Sequence, residues 1–223
     1  MTDKVILWDW DGTLVDSFPT IHKAHNKTRQ AFGLTPWSFA QTKENVARSA
    51  RDVFPEMFGE NAAQAEQIFY ESYAELAPHN VVIKPGREAF LHKTQAAGFK
   101  HLLISNKRGD ILRRECDGLG WTSFFAAIVG AGDAAADKPS AVPITMAYRQ
   151  AGLEQQKNHC YVGDAPIDAH TACAASMKSI LLLDETHNRD FLTPHCANVM
   201  AFEAFCRLWL TEYGIYSVTE TGL

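Results

Sequence analysis

Three absences narrow the kind of protein that this sequence encodes. No apolar run approaches the roughly 18 residues that a bilayer-spanning helix requires, and no signal-peptide pattern precedes the first apolar segment. The five cysteines are scattered without a C-x-x-C pair, and their odd number does not suit a disulfide framework. Positive charge is not in excess, because 21 Lys and Arg face 26 Asp and Glu. We therefore expect a cytoplasmic protein with reduced cysteines and no basic surface for nucleic acid or an anionic membrane.

The 223-residue chain has enough apolar material for a real core, since 46% of it is hydrophobic. From about residue 85 onward, strand-like apolar runs alternate with helical segments, which predicts βαβ units in a parallel sheet. Strands are expected at 5–8, 101–105, 126–130, 159–163 and 178–183. Helices are expected at 87–97, 110–119, 140–151, 166–175 and near 200–213.

Residues 18 to about 80 show helical spacing only, without a strand-like run. Helices are predicted at 18–33, 38–46, 50–58 and 61–77. Pro55 is expected to interrupt the third helix, because proline removes a backbone N–H from a helix interior. Asn61 is expected to cap the fourth. The sequence thus predicts an all-α insertion directly after the first strand of an α/β core.

The first strand ends at two acidic residues, Asp9 and Asp11, which Gly12 and Thr13 follow. Along an extended chain, side chains two residues apart point to the same side, so the two carboxylates converge beyond the end of the strand. Parallel sheets bind ligands at that edge. The same residues also suit an ordinary turn. A calcium loop fits less well, because the glycine is at a different position and the downstream glutamate is absent.

Two further polar groups follow later parts of the βα series. Ser105 ends the strand predicted at 101–105, and its hydroxyl and the following backbone N–H groups can hold a phosphoryl oxygen, with help from Asn106 and Lys107. A serine at a strand end also serves simply in turns. Lys138 precedes Pro139, which is expected in the first turn of a helix that fixes the lysine's direction, although most lysines are solvated surface residues.

A second pair of acids, Asp164 and Asp168, follows the strand predicted at 159–163. Asp168 by itself is explained by the preference of acidic residues for the first turn of a helix. Asp164 is harder to explain in this way, because it is expected at the same sheet edge as Asp9 and Asp11.

These four motifs, in this order, resemble those of the haloacid dehalogenase-like hydrolases, whose first motif is a buried strand followed by Asp-x-Asp-Gly-Thr. The resemblance implies a doubly wound, Rossmann-like α/β core with a parallel sheet, formed by residues 1–16 and 84–223. It implies that residues 17–83 form an all-α cap domain over the carboxyl edge of the sheet. The hinges are expected near Asp16 and Ser17 and near Ile83 and Lys84.

A divalent cation is expected where the acidic residues meet. Like charges about 4 Å apart repel by roughly 4 kcal/mol at an effective dielectric of 20, so several carboxylates and a phosphate need a compensating ion. Mg²⁺ suits a site of a few carboxylates that keeps water and substrate oxygens as ligands. The resemblance implies that its protein ligands are the Asp9 carboxylate, the Asp11 backbone carbonyl and Asp164. Asp168 is expected as a further ligand or as a neighbour that supports the ligands.

The resemblance also implies the chemistry. Asp9 is the nucleophile that forms an aspartyl-phosphate, and Asp11 is first the general acid for the leaving oxygen and then the general base for water. An acid at position 11 favours phosphoryl transfer, because dehalogenases resemble this pattern but lack that acid. The expected substrate contacts are Ser105, Asn106, Lys138 and Arg51.

Three functions remain open at this point. The stretch from Asp11 to Ser17 resembles the phosphoglycolate-phosphatase-like members, which favours an Mg²⁺-dependent hydrolase of a small phosphomonoester. A closing cap excludes large substrates. The alternatives are a β-phosphoglucomutase-like phosphomutase, which needs a bisphosphate activator, and a non-catalytic protein that binds a phosphorylated ligand. The sequence leaves the identity of the phosphorylated metabolite and the oligomeric state open.

Overall fold

The computed structural model describes residues 3–46, 48–77, 81–156, 158–183 and 189–215. Within these residues the strands are β1 (Lys4–Trp8), β2 (Val15–Asp16), β3 (Val82–Ile83), β4 (Phe99–Arg108), β5 (Phe125–Ala131), β6 (Cys160–Gly163), β7 (Lys178–Leu183) and β8 (Val199–Ala201). The helices are α1 (Phe18–Ala31), α2 (Phe39–Asn45), α3 (Ala50–Phe58), α4 (Ala62–Leu76), α5 (Arg87–Ala96), α6 (Gly109–Gly118), α7 (Val142–Ala151), α8 (Pro166–Ala174), α9 (Arg189–Leu192) and α10 (Phe202–Glu212).

Six strands form one sheet in the order β5-β4-β1-β6-β7-β8. Every pair of neighbours in it is parallel. Because β1 lies between β4 and β6, the carboxyl ends of these three strands are adjacent, which places the residues that follow them at one edge. The predicted α/β class with a parallel, Rossmann-like sheet is confirmed.

Alternate residues of β1 enter two separate apolar layers, as the period of an extended strand requires. Ile6 and Trp8 pack on the side that also contains Phe90 of α5 and Phe205 of α10. Val5 and Leu7 pack on the other side, with residues of α7 and α8. Helices therefore cover both faces of the sheet, and this double covering explains why β1 has no polar residue after Lys4.

The helices α1 to α4, which we call the helical segment, connect β2 to β3. These two short strands pair with each other in antiparallel fashion, Val15 with Ile83 and Asp16 with Val82. The helical segment has its own apolar cluster, in which Phe54 and Phe69 pack with Ala24, Ala65 and Tyr73. Ile111 of α6 joins this cluster, so the segment also packs against the sheet domain.

Several local predictions were wrong. Pro55 lies inside α3 and does not interrupt it. A missing N–H costs one hydrogen bond, and the burial of Val53 and Phe54 on the same helix offsets this cost. Asn61 occupies the position before α4, but its side chain makes no capping hydrogen bond there, because Gly59–Asn61 already form a turn of 3₁₀ helix. The strand pair β2 and β3 and the edge strand β8 were not predicted, since two or three residues give no readable period.

Other helices and strands begin or end a few residues away from the predicted positions. Strand β4 continues to Arg108, so Ser105, Asn106 and Lys107 lie within it and not after its end. Helix α7 begins at Val142, and Pro143 occupies its first turn. Pro139 lies in the preceding loop, which corrects its expected helical position. The fourth helix was expected to end before Pro78, and that residue falls outside the described residues. Among the described helices, none is long and apolar enough to cross a membrane.

Candidate active site

The structure brings together carboxylates from separate parts of the chain. Asp9 follows β1, Asp164 follows β6, and Asp168 lies in the first turn of α8. One carboxylate oxygen of each lies within 4.8 Å of the others, and all three residues are buried. Burial raises the pKa of the Asp9 carboxyl to about 7, and the neighbouring Asp168 adds to this effect, whereas Lys138 opposes it. Such a group of negative charges requires compensation.

Lys138 supplies part of that compensation from the loop between β5 and α7. Its Nζ lies 2.7 Å from Asp9 Oδ1 and 2.7 Å from Asp168 Oδ1. Burial disfavours the charged amine, but the two carboxylates outweigh burial and hold the pKa of Lys138 well above its ordinary value. The lysine is therefore a buried cation with fixed partners and not the solvated surface residue that most lysines are.

Asn106 holds the backbone of Lys138 in place. Its side-chain amide donates to the Lys138 carbonyl at 3.1 Å, and its side-chain oxygen accepts the Lys138 N–H at 2.9 Å. Ser105, one residue earlier, is buried and accepts the N–H of Lys107 with its hydroxyl at 3.1 Å. Ser105, Asn106 and Lys138 all line the same cavity as Asp9. Their roles as substrate contacts stay predictions.

The Asp164 carboxylate lies directly against Gly12, and it fits in this position because glycine has no side chain. Gly12 has φ +86°, and a Cβ on it would lie 2.3 Å from Asp164 Oδ2. The next residue, Thr13, donates its hydroxyl to Asp164 Oδ1 at 2.8 Å. The Gly-Thr step after the first motif therefore lets the first and fourth motifs approach each other, which leaves one Asp164 oxygen near Asp9.

Asp168 supports this arrangement through several donors. Its Oδ2 accepts the backbone N–H of Asp164 at 3.2 Å and of Ala165 at 3.1 Å, while its Oδ1 accepts from Lys138. Gly163 makes room for it, because a Cβ there would lie 2.3 Å from the Asp168 carboxyl carbon. With its oxygens occupied in this way, Asp168 orients both Asp164 and Lys138.

The donor set fits a hard divalent cation. Asp9, Asp164 and Asp168 bring three negative charges, and Lys138 returns only one positive charge, so the cluster has two uncompensated charges when all groups are ionised. Carboxylate oxygens are the ligands that Mg²⁺ and similar ions take. A Cβ on Gly12 would lie within 3 Å of both Asp164 oxygens, so the glycine leaves the space beside this carboxylate open.

The Asp11 carboxylate has a different set of partners. Lys107 Nζ lies 2.5 Å from Asp11 Oδ1, and the Ser17 hydroxyl donates to the same oxygen. Lys107 in turn contacts Glu115 of α6 and Tyr73 of α4. Glu115 and Tyr73 were not predicted as site residues, Ser17 was expected only near a hinge, and Thr13 was expected only as part of the first motif. Thr13 lay within the first motif and could have been identified there, whereas Glu115 and Tyr73 occupy ordinary helical positions that give no signal.

A cavity of about 840 Å³ lies between the sheet edge and the helical segment. Its sheet side carries Asp9, Asp11, Ser105, Lys138 and Asp164. Its helical side is mostly apolar, and it also carries the charged side chains of Lys43, Glu44 and Arg48. The apolar residues on this side are Phe18, Ile21, Phe39, Val53, Phe54, Phe69 and Tyr70. The volume lies in the range of small-molecule sites, about 300 to 1,000 Å³.

Arg51 does not join the acidic cluster. Its Nη2 lies 2.9 Å from Oδ1 of Asp137, a buried carboxylate that also accepts the Gly132 N–H at 3.0 Å. The arginine thus connects α3 to the loop that carries Lys138. Its expected contact with substrate stays a prediction, and the structure gives it a protein partner.

Known proteins resemble this chain over most of its length. A family model described as haloacid dehalogenase-like hydrolase matches residues 6–182. A phosphoglycolate phosphatase from Xylella fastidiosa is 32% identical over 186 residues, which cover 81% of this chain and 80% of that protein. A phosphoglycolate phosphatase from Cereibacter sphaeroides is 29% identical over 189 residues, with coverage of 80% and 84%. The crystal structure of a predicted phosphatase from Clostridium acetobutylicum superposes with a TM-score of 0.83 at 18% identity, covering 95% of this chain and all of that one. At that identity the superposition concerns the fold alone.

Proposed function

The chain belongs to the haloacid dehalogenase-like hydrolases, as the order of its motifs predicted, and we propose that it hydrolyses a small phosphomonoester by way of a phosphorylated Asp9. It is an enzyme of the phosphatase type that its relatives represent. The observation that supports the proposal most is the meeting of Asp9, Asp164 and Lys138 at the floor of one cavity. In this proposal the Asp9 nucleophile, the Lys138 ammonium and the carboxylates that would hold a metal ion all act on one phosphoryl group.

In the first proposed step, an Asp9 carboxylate oxygen attacks phosphorus and the bond from phosphorus to the ester oxygen breaks. The leaving oxygen takes a proton from Asp11 and departs as an alcohol. In the second step, water attacks the same phosphorus and gives its proton to the Asp11 carboxylate. The bond from phosphorus to Asp9 then breaks and inorganic phosphate is released. Two carboxylates are needed because one of them is consumed as the nucleophile.

Lys138 and Ser105 bind the phosphoryl oxygens in this proposal. Lys138 already contacts Asp9 at 2.7 Å, so an oxygen of a phosphoryl group on Asp9 lies within reach of the same ammonium. The backbone N–H groups of Trp10 and Asp11 are proposed to face the same phosphoryl group, whereas the N–H of Gly12 donates to the Val15 carbonyl. Asn106 contributes by fixing the Lys138 backbone and needs no direct substrate contact for that.

The proposed cofactor is Mg²⁺. Asp9, Asp164 and the Asp11 backbone carbonyl would hold it, with Asp168 as a further ligand or as the group that orients Asp164 and Lys138. When bound, such an ion offsets the negative charge of the carboxylates and the phosphate and polarises a phosphoryl oxygen.

We propose that residues 17–83 act as a cap domain whose hinge is the strand pair β2 and β3. The first and last residues of the helical segment both return to this pair, so movement there carries all four helices together. Lys84, just after the hinge, donates from Nζ to the Gly12 carbonyl at 2.7 Å. The hinge is therefore tied directly to the loop that contains the first motif.

The substrate class follows from the two sides of the cavity. A phosphate fits the sheet side, and the helical side, which is mostly apolar but also carries Lys43 and Arg48, receives the alcohol part of the ester. Phosphoglycolate is the first candidate because relatives at 29% to 32% identity carry that name. The volume also accepts larger esters, so the leaving group must be found by experiment.

A panel of phosphomonoesters tests the proposal. Phosphoglycolate, sugar phosphates, nucleoside monophosphates and aryl phosphates are each incubated with the protein and Mg²⁺, and released phosphate is measured. We expect hydrolysis that stops with a chelator and returns when Mg²⁺ is restored. Hydrolysis of none of them, or full activity in excess chelator, would contradict the proposal. Isomerisation of a hexose phosphate that requires a bisphosphate would support the phosphomutase alternative.

A further inference from the structure

Tyr73 of α4 brings a phenol from the helical segment into the polar cluster around Asp11. Its hydroxyl donates to Glu115 Oε1 at 2.6 Å and accepts from Lys107 Nζ at 2.9 Å. The side chain is almost fully buried and lines the same cavity as Asp11. A polar group in this setting is retained only when its hydrogen bonds are made.

Lys107 uses its whole hydrogen-bonding capacity in this cluster. An ammonium group has three N–H donors, and Lys107 Nζ reaches three acceptors: Asp11 Oδ1 at 2.5 Å, Glu115 Oε2 at 2.7 Å and the Tyr73 hydroxyl at 2.9 Å. Its side chain is 6% exposed and that of Glu115 is 8% exposed. The position of this nitrogen is therefore fixed by three bonds, of which one comes from the helical segment.

Glu115 is also held by Trp10, whose indole N–H donates at 2.7 Å to Oε2, the same oxygen that Lys107 contacts. Trp10 is itself fully buried and packs edge-on against Trp121 at 5.9 Å. The glutamate thus joins the loop between Asp9 and Asp11 to α6 and α4. A displacement of α4 would take the Tyr73 hydroxyl away from both Lys107 and Glu115, while Trp10 and Glu115 remain part of the sheet domain.

We propose that Tyr73 is a positioning residue that acts through Lys107 to hold Asp11 in the orientation from which it protonates the leaving oxygen. This inference rests on the proposed function, since it needs Asp11 as the general acid. With Tyr73 in place, Lys107 Nζ is held by Asp11 and by two further partners, Glu115 and the Tyr73 hydroxyl. Without the hydroxyl, the ammonium has only the two carboxylates as acceptors, and its geometry toward Asp11 is no longer fixed.

The effect of losing the Tyr73 hydroxyl on kcat/KM depends on how much the leaving group needs a proton. Phenolate is a basic leaving group and requires protonation as the ester bond breaks, whereas p-nitrophenolate departs without it. The two aryl phosphates have nearly the same shape, so they enter the cavity alike. The ratio of their kcat/KM values reports general-acid assistance, because kcat/KM covers the steps through loss of the leaving group.

The test compares wild type with Tyr73→Phe on phenyl phosphate and p-nitrophenyl phosphate in Mg²⁺. We expect kcat/KM for phenyl phosphate to fall about tenfold and that for p-nitrophenyl phosphate to fall less than about twofold. Tyr148→Phe is the matched control, because Tyr148 is also a buried phenol whose hydroxyl has a partner, His159, but it lies in α7 away from the cavity. This control is expected to leave both values unchanged.

A double-mutant cycle with Asp11→Asn distinguishes an effect of Tyr73 on the position of Asp11 from an effect on packing in general. If Tyr73 acts through Asp11, then adding Tyr73→Phe to Asp11→Asn has no further effect on phenyl phosphate. A second variant, Glu115→Gln, keeps the shape of the side chain but weakens its hold on Lys107, and we expect the same preference for the better leaving group in weaker form.

Equal losses on both substrates in Tyr73→Phe and in Glu115→Gln would overturn the inference, and so would a full additional loss in the double variant. Failure of the proposed function would give a different result. The wild-type protein would then hydrolyse neither aryl phosphate, or the Asp9→Asn variant would still hydrolyse both.

Discussion

The two walls of the cavity hold their polar side chains in different ways. On the sheet side, Lys138 is buried between Asp9 and Asp168 with both contacts at 2.7 Å. On the helical side, Arg48 pairs with Glu56, and these side chains are 48% and 62% exposed. Buried ion pairs tolerate no loss of a partner, whereas exposed pairs contribute at most about 1 kcal/mol. The comparison supports the proposal that the sheet domain carries the chemistry and that the helical wall contributes to the choice of leaving group.

The largest effect is expected from Asp9→Asn on the sheet side. An amide is a poor nucleophile and cannot form the aspartyl-phosphate, so turnover of an aryl phosphate in Mg²⁺ should fall by roughly 10³-fold or more. Initial rates of phosphate release measure this loss. Asp117→Asn, a change at an exposed position on α6, is the control and should retain activity. A rate for Asp9→Asn close to that of wild type would refute the assignment of the nucleophile.

Lys138→Met should affect stability as well as activity. The substitution leaves Asp9 and Asp168 buried without their cation, and breaking a buried pair costs about 3 to 5 kcal/mol. Urea unfolding in the presence of a chelator measures the free energy of unfolding. Lys100→Met, at an exposed lysine of β4, is the matched control. A loss below about 1 kcal/mol for Lys138→Met would mean that the sheet side is not held as the contacts indicate.

The helical segment and the sheet domain each contain a buried histidine that is neutral at pH 7. Burial lowers the pKa of His25 in α1, with Arg29 and His22 adding to the effect, and burial lowers that of His101 in β4, in both cases from 6.5 to about 4. Between pH 6.5 and about pH 4 the unfolded chain binds more protons than the folded one. The stability that each neutral histidine contributes is therefore complete above pH 6.5 and is lost as the pH falls toward 4. Each histidine should remove about 2 kcal/mol of stability by pH 5.

His25→Phe tests this in the helical segment, where Trp37, Phe54 and Phe69 surround the ring. The variant cannot take up a proton there. Its free energy of unfolding should therefore fall by about 2 kcal/mol less between pH 7 and pH 5 than that of wild type. Urea titrations at both pH values measure the difference. The same loss in both proteins would show that His25 does not contribute.

The smallest effect is expected from Arg51→Met in α3. The side chain is 43% exposed and pairs with Asp137, so its loss should lower stability modestly, by about 1 kcal/mol, and change KM for the ester less than about twofold. Steady-state kinetics with the best substrate of the panel provide the measurement. A large rise in KM with unchanged stability would restore the sequence-based expectation that Arg51 contacts substrate.

Much of the sheet side could be predicted from sequence, because the motifs lie near or beyond the carboxyl ends of parallel strands. Asp9, Ser105, Lys138 and Asp164 were found in this way, and the topology places them together. The partners across the cavity could not be found so easily. Whether Arg51 meets a substrate or Asp137 depends on how α3 packs, and sequence spacing carries no information about that. Pro55 was misjudged for the same reason, since packing of the helix outweighed its propensity.

The most direct test of the central claim is chemical trapping of the phosphorylated aspartate. Asp11→Asn lacks the base for the second step, so a phosphoryl group should accumulate on Asp9 when the variant is mixed with p-nitrophenyl phosphate and Mg²⁺. Reduction with borohydride converts an aspartyl-phosphate to homoserine, which peptide mass spectrometry locates. We predict homoserine at position 9 only. An unmodified Asp9 in protein that has released p-nitrophenolate, or a phosphoryl group found on another residue, would contradict the account.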